Sequence, residues 1–502
     1  VFSHILVGID AVECEIEVDL DKTGIPKVIL TGLPQTAVKE SIDRVLQSIS
    51  HSGYALDWRR LLINLAPAEL KKDAASLDLA IAIGLLRSAK FIPHERARTF
   101  LIAGELALDG RVRPIRGGLA MAMLARSRGK LGVIVPRENA RECAVVEGID
   151  VIGVTSLTQA VSFLNGSLDI DPYTLEGESY ALSQIESEVD FADVRGQEAV
   201  KRAITIAAAG GHNLAMIGPP GTGKTMLASR MAGILPPLSR EESLETTRVY
   251  SALGILPDGV ALLDRRPVRS VHHSATAQAL VGGGANPRPG EVSLAHHGIL
   301  FLDELPEFER RTLDMLRQPM ESGEIVISRA AGSVKFPARF MLVAAMNPTR
   351  RGDNGNDPRA RQKYLDRLSG PLLDRIDIHI EVPSVPIHEL TGKKPGTSSQ
   401  TMRASVARAR ARQQNRFGDG RTVNARMSSK LLQQHAELSP GCLQLMKQAM
   451  SELGLSARAY DKVRRVARTI ADLDSDSTGE DRPIDESHLA EAIQYRLLDR
   501  KV

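Results

Sequence analysis

The sequence predicts a multidomain α/β protein, and three observations carry the prediction. Three near-continuous apolar runs, "NLAMIG", "GILFLDEL" and "RFMLVAAMN", suit strands of a parallel sheet covered on both faces. The first runs directly into "GPPGTGKT", a glycine-rich turn followed by a helical pattern. Beyond about residue 400 the pattern is helical, with "SARAYDKVRRVARTIADL" its clearest amphipathic segment. A chain of 502 residues with 43% hydrophobic content has room for several ordinary cores.

Residues 1–168 alternate short β-rich runs with helical ones. "PKVILTGL" reads as a strand, "TAVKESIDRVLQSISHSG" as a helix ended by Gly53, "RRLLINLAP" as a strand, "LDLAIAIGLLRSA" as a buried helix and "GVIVP" as a strand. Residues 169–190 are acidic, contain no Lys or Arg, and read as a solvated linker. Residues 191–390 hold the parallel-sheet pattern, 391–424 a loop and a basic helix, and 425–502 a helical domain.

No apolar run approaches the roughly 18 residues of a membrane span. The opening "VFSHILVGID" has no basic stretch ahead of an apolar block and does not read as a secretory signal. Cys14, Cys143 and Cys442 lie far apart, which fits neither a disulfide framework nor a metal cluster and suits a reducing cytoplasmic location. A net charge of +3 neither implies nor excludes nucleic acid.

The chemistry begins at the P-loop, Gly218, Pro219, Pro220, Gly221, Thr222, Gly223, Lys224 and Thr225. Glycines let backbone N–H groups face phosphate oxygens at a helix N-terminus. Lys224 can reach the β- and γ-phosphates of ATP, and Thr225 can offer its hydroxyl to Mg2+. After the "ILFL" strand, Asp303 can hold Mg2+ through water and Glu304 can polarise the attacking water. Asn347 closes the third apolar strand, where it can orient that water or simply end the strand before Pro348. Arg375, with Arg367 as runner-up, can stabilise the transition state on a neighbouring subunit; each also suits a surface ion pair, as does Arg458.

This order of motifs resembles the AAA+ ATPases. "GHNLAMIGPPGTGKTMLA", "PGEVSLAHHGILFLDELPEF", "LRQPMESGEIVISRA", "FPARFMLVAAMNP" and "RLSGPLLDRIDI" are similar to the magnesium-chelatase-like ComM/YifB family, as are "GLPQTAVKES" and "INLAPAELKKDAASLDLAIAIG" near the N-terminus. The resemblance covers nearly the whole chain. It implies Walker A roles for Lys224 and Thr225 and Walker B roles for Asp303 and Glu304. It makes Asn347 sensor one, Arg375 the arginine finger and Arg458 the sensor-two arginine. It further implies a ring, usually a hexamer, and for ComM-type members a DNA helicase that drives branch migration in recombination of incoming DNA during natural transformation. Many relatives carry a cysteine cluster after "MNP"; here Thr349, Arg350 and Arg351 follow, so no thiol or metal role is expected of that loop.

Residues 1–168 resemble the Lon proteolytic domain, an α+β fold also found in a small-subunit ribosomal protein. "KKDAAS" puts Ser76 at the position of the Lon serine, but Ala120 in "PIRGGLAMAML" stands where the dyad lysine would be. A serine without a base is a weak nucleophile, so the domain is expected to bind or organise rather than cleave. The resemblance also implies a helical lid at the C-terminus and two pore elements. The first is placed in "VHHSATAQALVGGGANPRPGEVSLAHHG" (271–298), the second in a hairpin over "EIVISRAAGSVKFPARF". Arg329 and Lys335 of that hairpin are expected to grip DNA phosphates without reading sequence; a subunit-to-subunit ion pair is the other reading of Arg329. The arginine-rich stretch 403–421 reads as the solvated face of a linking helix or as a DNA contact. A chelatase- or chaperone-like ATPase that remodels a protein partner is the competing function, because one fold serves both.

Overall fold

The computed structural model describes all residues except 24, 26, 33–35, 71, 73, 74, 94, 176–188, 285, 330, 331, 350–363, 365, 387–395, 476–481 and 497–502. The chain divides into two compact units. The first is Val1–Leu182 together with Ser239–Asp264; the second is Ser183–Leu238 with Arg265–Val502.

The first unit is built on a mixed seven-stranded sheet, ordered Lys27–Thr31, Arg60–Ala66, Asp10–Asp21, Phe2–Val7, Phe100–Ile102, Gly132–Pro136, Asp150–Val154. Side-chain alternation feeds two cores. Phe100, Ile102, Ile134 and Ile152 pack with the helices Thr36–His51 and Asp78–Ser88, while Leu101, Val133, Val135 and Val151 pack with the helix Gly118–Ser127. The strand Asp10–Asp21 interleaves Glu13, Glu15, Glu17, Asp19 and Asp21 with Cys14, Ile16, Val18 and Leu20, an alternation that passes unnoticed when only apolar runs are sought.

The sequence groups Ser239–Asp264 with 191–390, but this segment packs in the first unit. Its helix Arg240–Leu253 starts in a capping box between Ser239 and Glu242. Leu244 and Leu262 join the core formed by Leu119, Met121 and Ala122. Ala120 lines a cleft with Asp10, Ala11, Met123, Leu124, Ser127 and Arg248, and Arg248 pairs there with Asp10 at 3.2 Å. Ser76 does not line this cleft; it sits in the turn Ala75–Leu77, where its carbonyl accepts the Gly104 N–H at 2.9 Å.

The second unit carries the expected parallel sheet, five strands in the order Val268–Val271, Ile299–Leu302, Met341–Met346, Leu214–Ile217, Ile378–Glu381. The three apolar runs form its centre and are buried throughout. The helices Glu198–Gly210, Ser399–Phe417, Ala457–Asp474 and Glu486–Gln494 share one core with the sheet through Ile204, Ala207, Leu214, Val343, Val406, Val463, Ile470 and Leu489.

The arginines of Ser399–Phe417 divide: Arg408 is exposed and bonds Ser405 of its own helix, as a solvated face requires, whereas four others bond groups on other elements. Arg403 donates to Gly233 O, Arg410 to Ala208 O and Arg412 to Ser475 O, while Arg416 pairs with buried Asp472. Gln413 adds a bond to Ala209 O. Apart from Arg416, these groups satisfy carbonyls at helix ends.

The hairpin is present as Glu324–Arg329 paired with Gly332–Pro337, Arg329 opposite Gly332 and Val326 opposite Lys335. Among the described residues, no helix is long and apolar enough to cross a membrane.

Candidate nucleotide site

The strand Leu214–Ile217 ends in the P-loop, and the helix Lys224–Met231 begins where the loop ends. Gly218 is required by space, because a Cβ there would lie 2.2 Å from the Val382 carbonyl oxygen. Gly221 and Gly223 have φ of +79° and +85°, the left-handed region that glycine enters without strain. Thr222 closes the loop by donating to Pro219 O at 2.9 Å.

Lys224 is buried, and its Nζ donates to Gly218 O at 2.7 Å, Pro219 O at 2.8 Å and Asn347 Oδ1 at 3.2 Å. Burial lowers its pKa, while the charges of Asp303 and Glu304 act against that shift. Thr225 Oγ1 donates to Asp303 Oδ2 at 2.8 Å. Register explains these meetings. Ile217 pairs with Met346 and Leu302 with Ala344, so the P-loop, Asp303, Glu304 and Asn347 all leave the sheet at the carboxyl ends of adjacent strands.

Glu304 holds a backbone φ of +52°, unusual for a non-glycine residue. Its N–H donates to Asp303 Oδ1 at 2.9 Å, and its Oε2 lies 3.2 Å from His273 Nδ1. Nothing in the sequence marks His273 as a site residue, because 271–298 reads as a single pore element. Val271 in fact closes a strand that runs level with Leu302, which carries His273 to the height of Glu304. The His272 ring at 4.0 Å and the edge of Phe308 at 6.4 Å hold the imidazole. Within the rest of 271–298, Ala277–Val281 and Glu291–Leu294 are short helices.

Gln197 is likewise unmarked in the sequence, as is Asn213 at the opposite end of the P-loop strand. Gln197 has a φ of +56°, and its amide donates to Thr222 O at 3.1 Å and Pro383 O at 3.0 Å, tying the P-loop to the chain beyond Ile378–Glu381. Asn213 accepts Leu342 N–H at 2.8 Å, donates from its side chain to Arg375 O at 2.9 Å, and donates its own N–H to Asp377 at 3.0 Å. The amide patterns "VRGQE" and "GHNL" carry no distinctive signal, since Gln and Asn are ordinary at helix starts and strand ends.

Arg375 and Arg458 do not join this group. Asp377 and Ile378 donate backbone N–H groups to Asn213 O, at the strand end away from the P-loop. Four residues of strand, about 13 Å, separate the two ends. Arg375 is 13% exposed, ion-paired with Glu321 and bonded to Pro371 O. Arg458 is 67% exposed and lies 3.6 Å from Asp374, the neighbour of Arg375 in sequence. Arg367 pairs with Glu307 at 2.8 Å. On the hairpin, exposed Lys335 pairs with Glu324 at 3.3 Å. The Arg329 side chain, Arg350 and Arg351 lie outside the described residues, whereas Thr349 is buried.

Residues 190–390 match the family profile "Magnesium chelatase, subunit ChlI", residues 16–139 "Subunit ChlI of Mg-chelatase", and residues 396–496 "Magnesium chelatase, subunit ChlI C-terminal". The chain is 42% identical to the competence protein ComM of Haemophilus influenzae over 510 residues, covering 100% of this chain and 97% of the relative. It is 43% identical over 508 residues to the uncharacterized protein YifB of Escherichia coli, with 100% and 97% covered. A 38 kDa magnesium-chelatase subunit of Rhodobacter capsulatus is 30% identical over 213 residues, 39% of this chain and 56% of that subunit. With full-length identity at this level and the P-loop, Asp303, Glu304 and Asn347 converging at one edge of a parallel sheet, the chain belongs to the ComM/YifB family of magnesium-chelatase-like AAA+ ATPases.

Proposed function

We propose that this protein is an ATP-driven ring, a hexamer by family resemblance, whose hydrolytic site is shared between subunits and whose work is DNA helicase or branch-migration activity. The observation that carries the shared site is the split described above. Lys224, Thr225, Asp303, Glu304 and Asn347 meet within one chain, whereas Arg375 and Arg458 lie together at the far end of the P-loop strand. In this reading both arginines serve the nucleotide of the neighbouring subunit.

The donor set fits Mg2+. Thr225 Oγ1 and Asp303 Oδ2, 2.8 Å apart, are hard oxygens of the kind Mg2+ takes alongside phosphate and water. When bound, the ion would neutralise phosphate charge. Lys224 would turn its ammonium from loop carbonyls to the β- and γ-phosphates, joined by N–H groups of the P-loop and the helix start. Glu304 would accept hydrogen-bonding from the attacking water and raise its nucleophilicity, and Asn347 would orient that water. Arg375 and Arg458 of the adjoining subunit would meet charge developing on the γ-phosphoryl oxygens.

The DNA part of the proposal draws on the relative named competence protein ComM and on the hairpin that exposes Lys335. It extends to recombination of incoming DNA during natural transformation. It also takes residues 1–168 as a Lon-like domain without its dyad, the C-terminal helices as the lid, and the cytoplasm as the place of action. One observation favours the protein-remodelling alternative: Lys335 is paired on its own hairpin, and Arg403, Arg410, Arg412 and Arg416 are engaged internally.

Steady-state ATPase assays with and without forked and three-stranded DNA, at low and moderate salt, test the choice. A DNA motor gives sequence-independent stimulation that falls with salt as counterion release weakens. A flat response from assembled wild-type rings defeats the DNA reading. Glu304→Gln should bind ATP yet hydrolyse it very slowly; wild-type turnover in that variant removes Glu304 from its role.

A further inference from the structure

The helix Ala457–Asp474 carries Arg458, Lys462, Arg465, Thr469 and Asp472 at spacings that place them in one row along one face. A polar row on an amphipathic helix ordinarily faces water. Here most of it is covered. Arg458 stands at the exposed end beside Asp374. Lys462, 12% exposed, donates to Asp377 at 2.5 Å, and Asp377 also accepts the Asn213 N–H at the head of the P-loop strand. Thr469 commits its hydrogen to Arg465 O at 3.0 Å, so its oxygen accepts from Nε2 of buried His212 at 2.8 Å. Asp472 accepts from Arg416 and Arg468. Lys462 and Thr469 thus key the helix to the residues that open the P-loop strand and, through Asp377, to the segment bearing Arg375, while Arg465 donates to Met427 O and Asp472 pairs with Arg416.

A covered ion pair adds little stability over well-packed apolar side chains of similar volume. Its best-attested use is to fix register. The opposite face of this helix is smooth and largely small, with Ala459, Val463, Val466, Ala467, Ile470 and Ala471 buried. Such a surface resists a slip along the axis poorly, and a slip of one turn is about 5.4 Å. Lys462 meets Asp377 in one register only.

We propose that Lys462 and Asp377 are positioning residues, whose covered pair sets the axial register of Ala457–Asp474 so that Arg458 and Arg375 are presented together to the nucleotide of the neighbouring subunit. Arg458 lies one turn before Lys462, and Arg375 two residues before Asp377, so the pair ties the two arginine-bearing elements at their roots. The inference rests on the shared-site reading above.

The test separates subunits that give arginines from subunits that use them. Lys224→Ala protein can supply arginines but cannot use ATP; Arg375→Ala/Arg458→Ala protein can bind ATP but supplies none. Mixed rings of the two, with assembly confirmed by size, should recover hydrolysis. The double change Lys462→Met/Asp377→Asn removes both charges and keeps an acceptor for the Asn213 N–H. Added to the Lys224→Ala partner, it should cut the recovered rate about tenfold or more, since small displacements of catalytic groups are costly. Added to the other partner, it should leave the recovered rate unchanged. Lys462→Arg, which keeps the cation, should preserve recovery in either placement and serves as the folding control alongside thermal melting. Equal loss in both placements would reduce the pair to a structural role and overturn the proposal, as would no loss in either. Failure of the parent mixture to recover activity, with rings assembled, would instead defeat the shared site itself and take this inference with it.

Discussion

Arg375→Ala gives the sharpest separation of structural from catalytic effect. Among the described residues of the chain, the Arg375 side chain makes an ion pair with Glu321 and a bond to Pro371 O, and its buried Nε has no partner. Truncation leaves Glu321, 62% exposed, in water rather than stranding a buried charge. The stability cost is therefore that of a partly exposed pair, about 1 kcal/mol or less. The P-loop of the same chain lies a strand length away, about 13 Å, so ATP affinity should change little. If the arginine meets transition-state charge across a subunit boundary, its loss costs roughly 10³ to 10⁵ in turnover, or about 4–7 kcal/mol at about 1.4 kcal/mol per decade. A destabilisation of about 1 kcal/mol cannot produce a loss of that size in folded protein. The assay is steady-state ATPase on assembled protein, with nucleotide binding and thermal melting measured in parallel. The expected pattern is a near-normal melting temperature, near-normal binding and turnover reduced at least about a thousandfold. Turnover close to wild type, or a loss of ATP affinity as large as that of Lys224→Ala, would refute the reasoning.

Other outcomes follow from the same geometry. His273→Ala should lower kcat about tenfold with little change in KM for ATP, because Glu304 loses the imidazole that holds its carboxylate, and His273→Asn should recover part of the rate; equal rates in all three proteins remove His273 from the site. Gly218→Ala should abolish nucleotide binding, since its Cβ would sit 2.2 Å from Val382 O and force the loop off the sheet; tight binding of a fluorescent ATP analogue by this variant contradicts the close approach. Lys335→Ala should reduce DNA-stimulated ATPase while sparing the basal rate, and an unchanged stimulation removes the hairpin from DNA contact. Burial pushes the Asp377 carboxyl upward, but the Lys462 ammonium holds it well below the usual range. Its contribution to stability is therefore complete above the unfolded value of about 3.9 and drains away as pH falls below it. Asp377→Asn should flatten the acid side of the unfolding free energy against pH, and an unaltered acid slope by urea titration contradicts the pairing.

Much of the candidate nucleotide site is legible because its signals are local. Glycines at Gly218, Gly221 and Gly223 answer to backbone needs that short spacing records, and Lys224 and Thr225 follow at fixed offsets on the next helix turn. The strands that deliver Asp303 and Asn347 are buried on both faces and so read as unbroken apolar runs. His273 fell outside such logic. It follows "PVRSV", a strand at the sheet edge with two exposed and one half-buried side chain, and such a strand has too little apolar content to stand out. Only the pairing of Val271 with Leu302 brings the imidazole to Glu304.

By itself the sequence determined the α/β class with its parallel sheet, the glycine-rich turn and the two carboxylates that follow the "ILFL" strand, because burial patterns and backbone turns are encoded within a few residues of where they act. Tertiary structure alone decided which charges are spent inside the protein. Arg403, Arg410, Arg412 and Arg416 read as a basic face, yet they close carbonyls and an aspartate contributed by elements 56 to 202 residues away in sequence. Ser239–Asp264 left its sequence neighbours for the first unit because Leu244 and Leu262 complete a core there. Lys462 and Asp377, 85 residues apart, became a pair only when their helix and strand docked. A charged side chain carries no mark of its partner, and the partner is chosen by packing over distances that no local pattern spans.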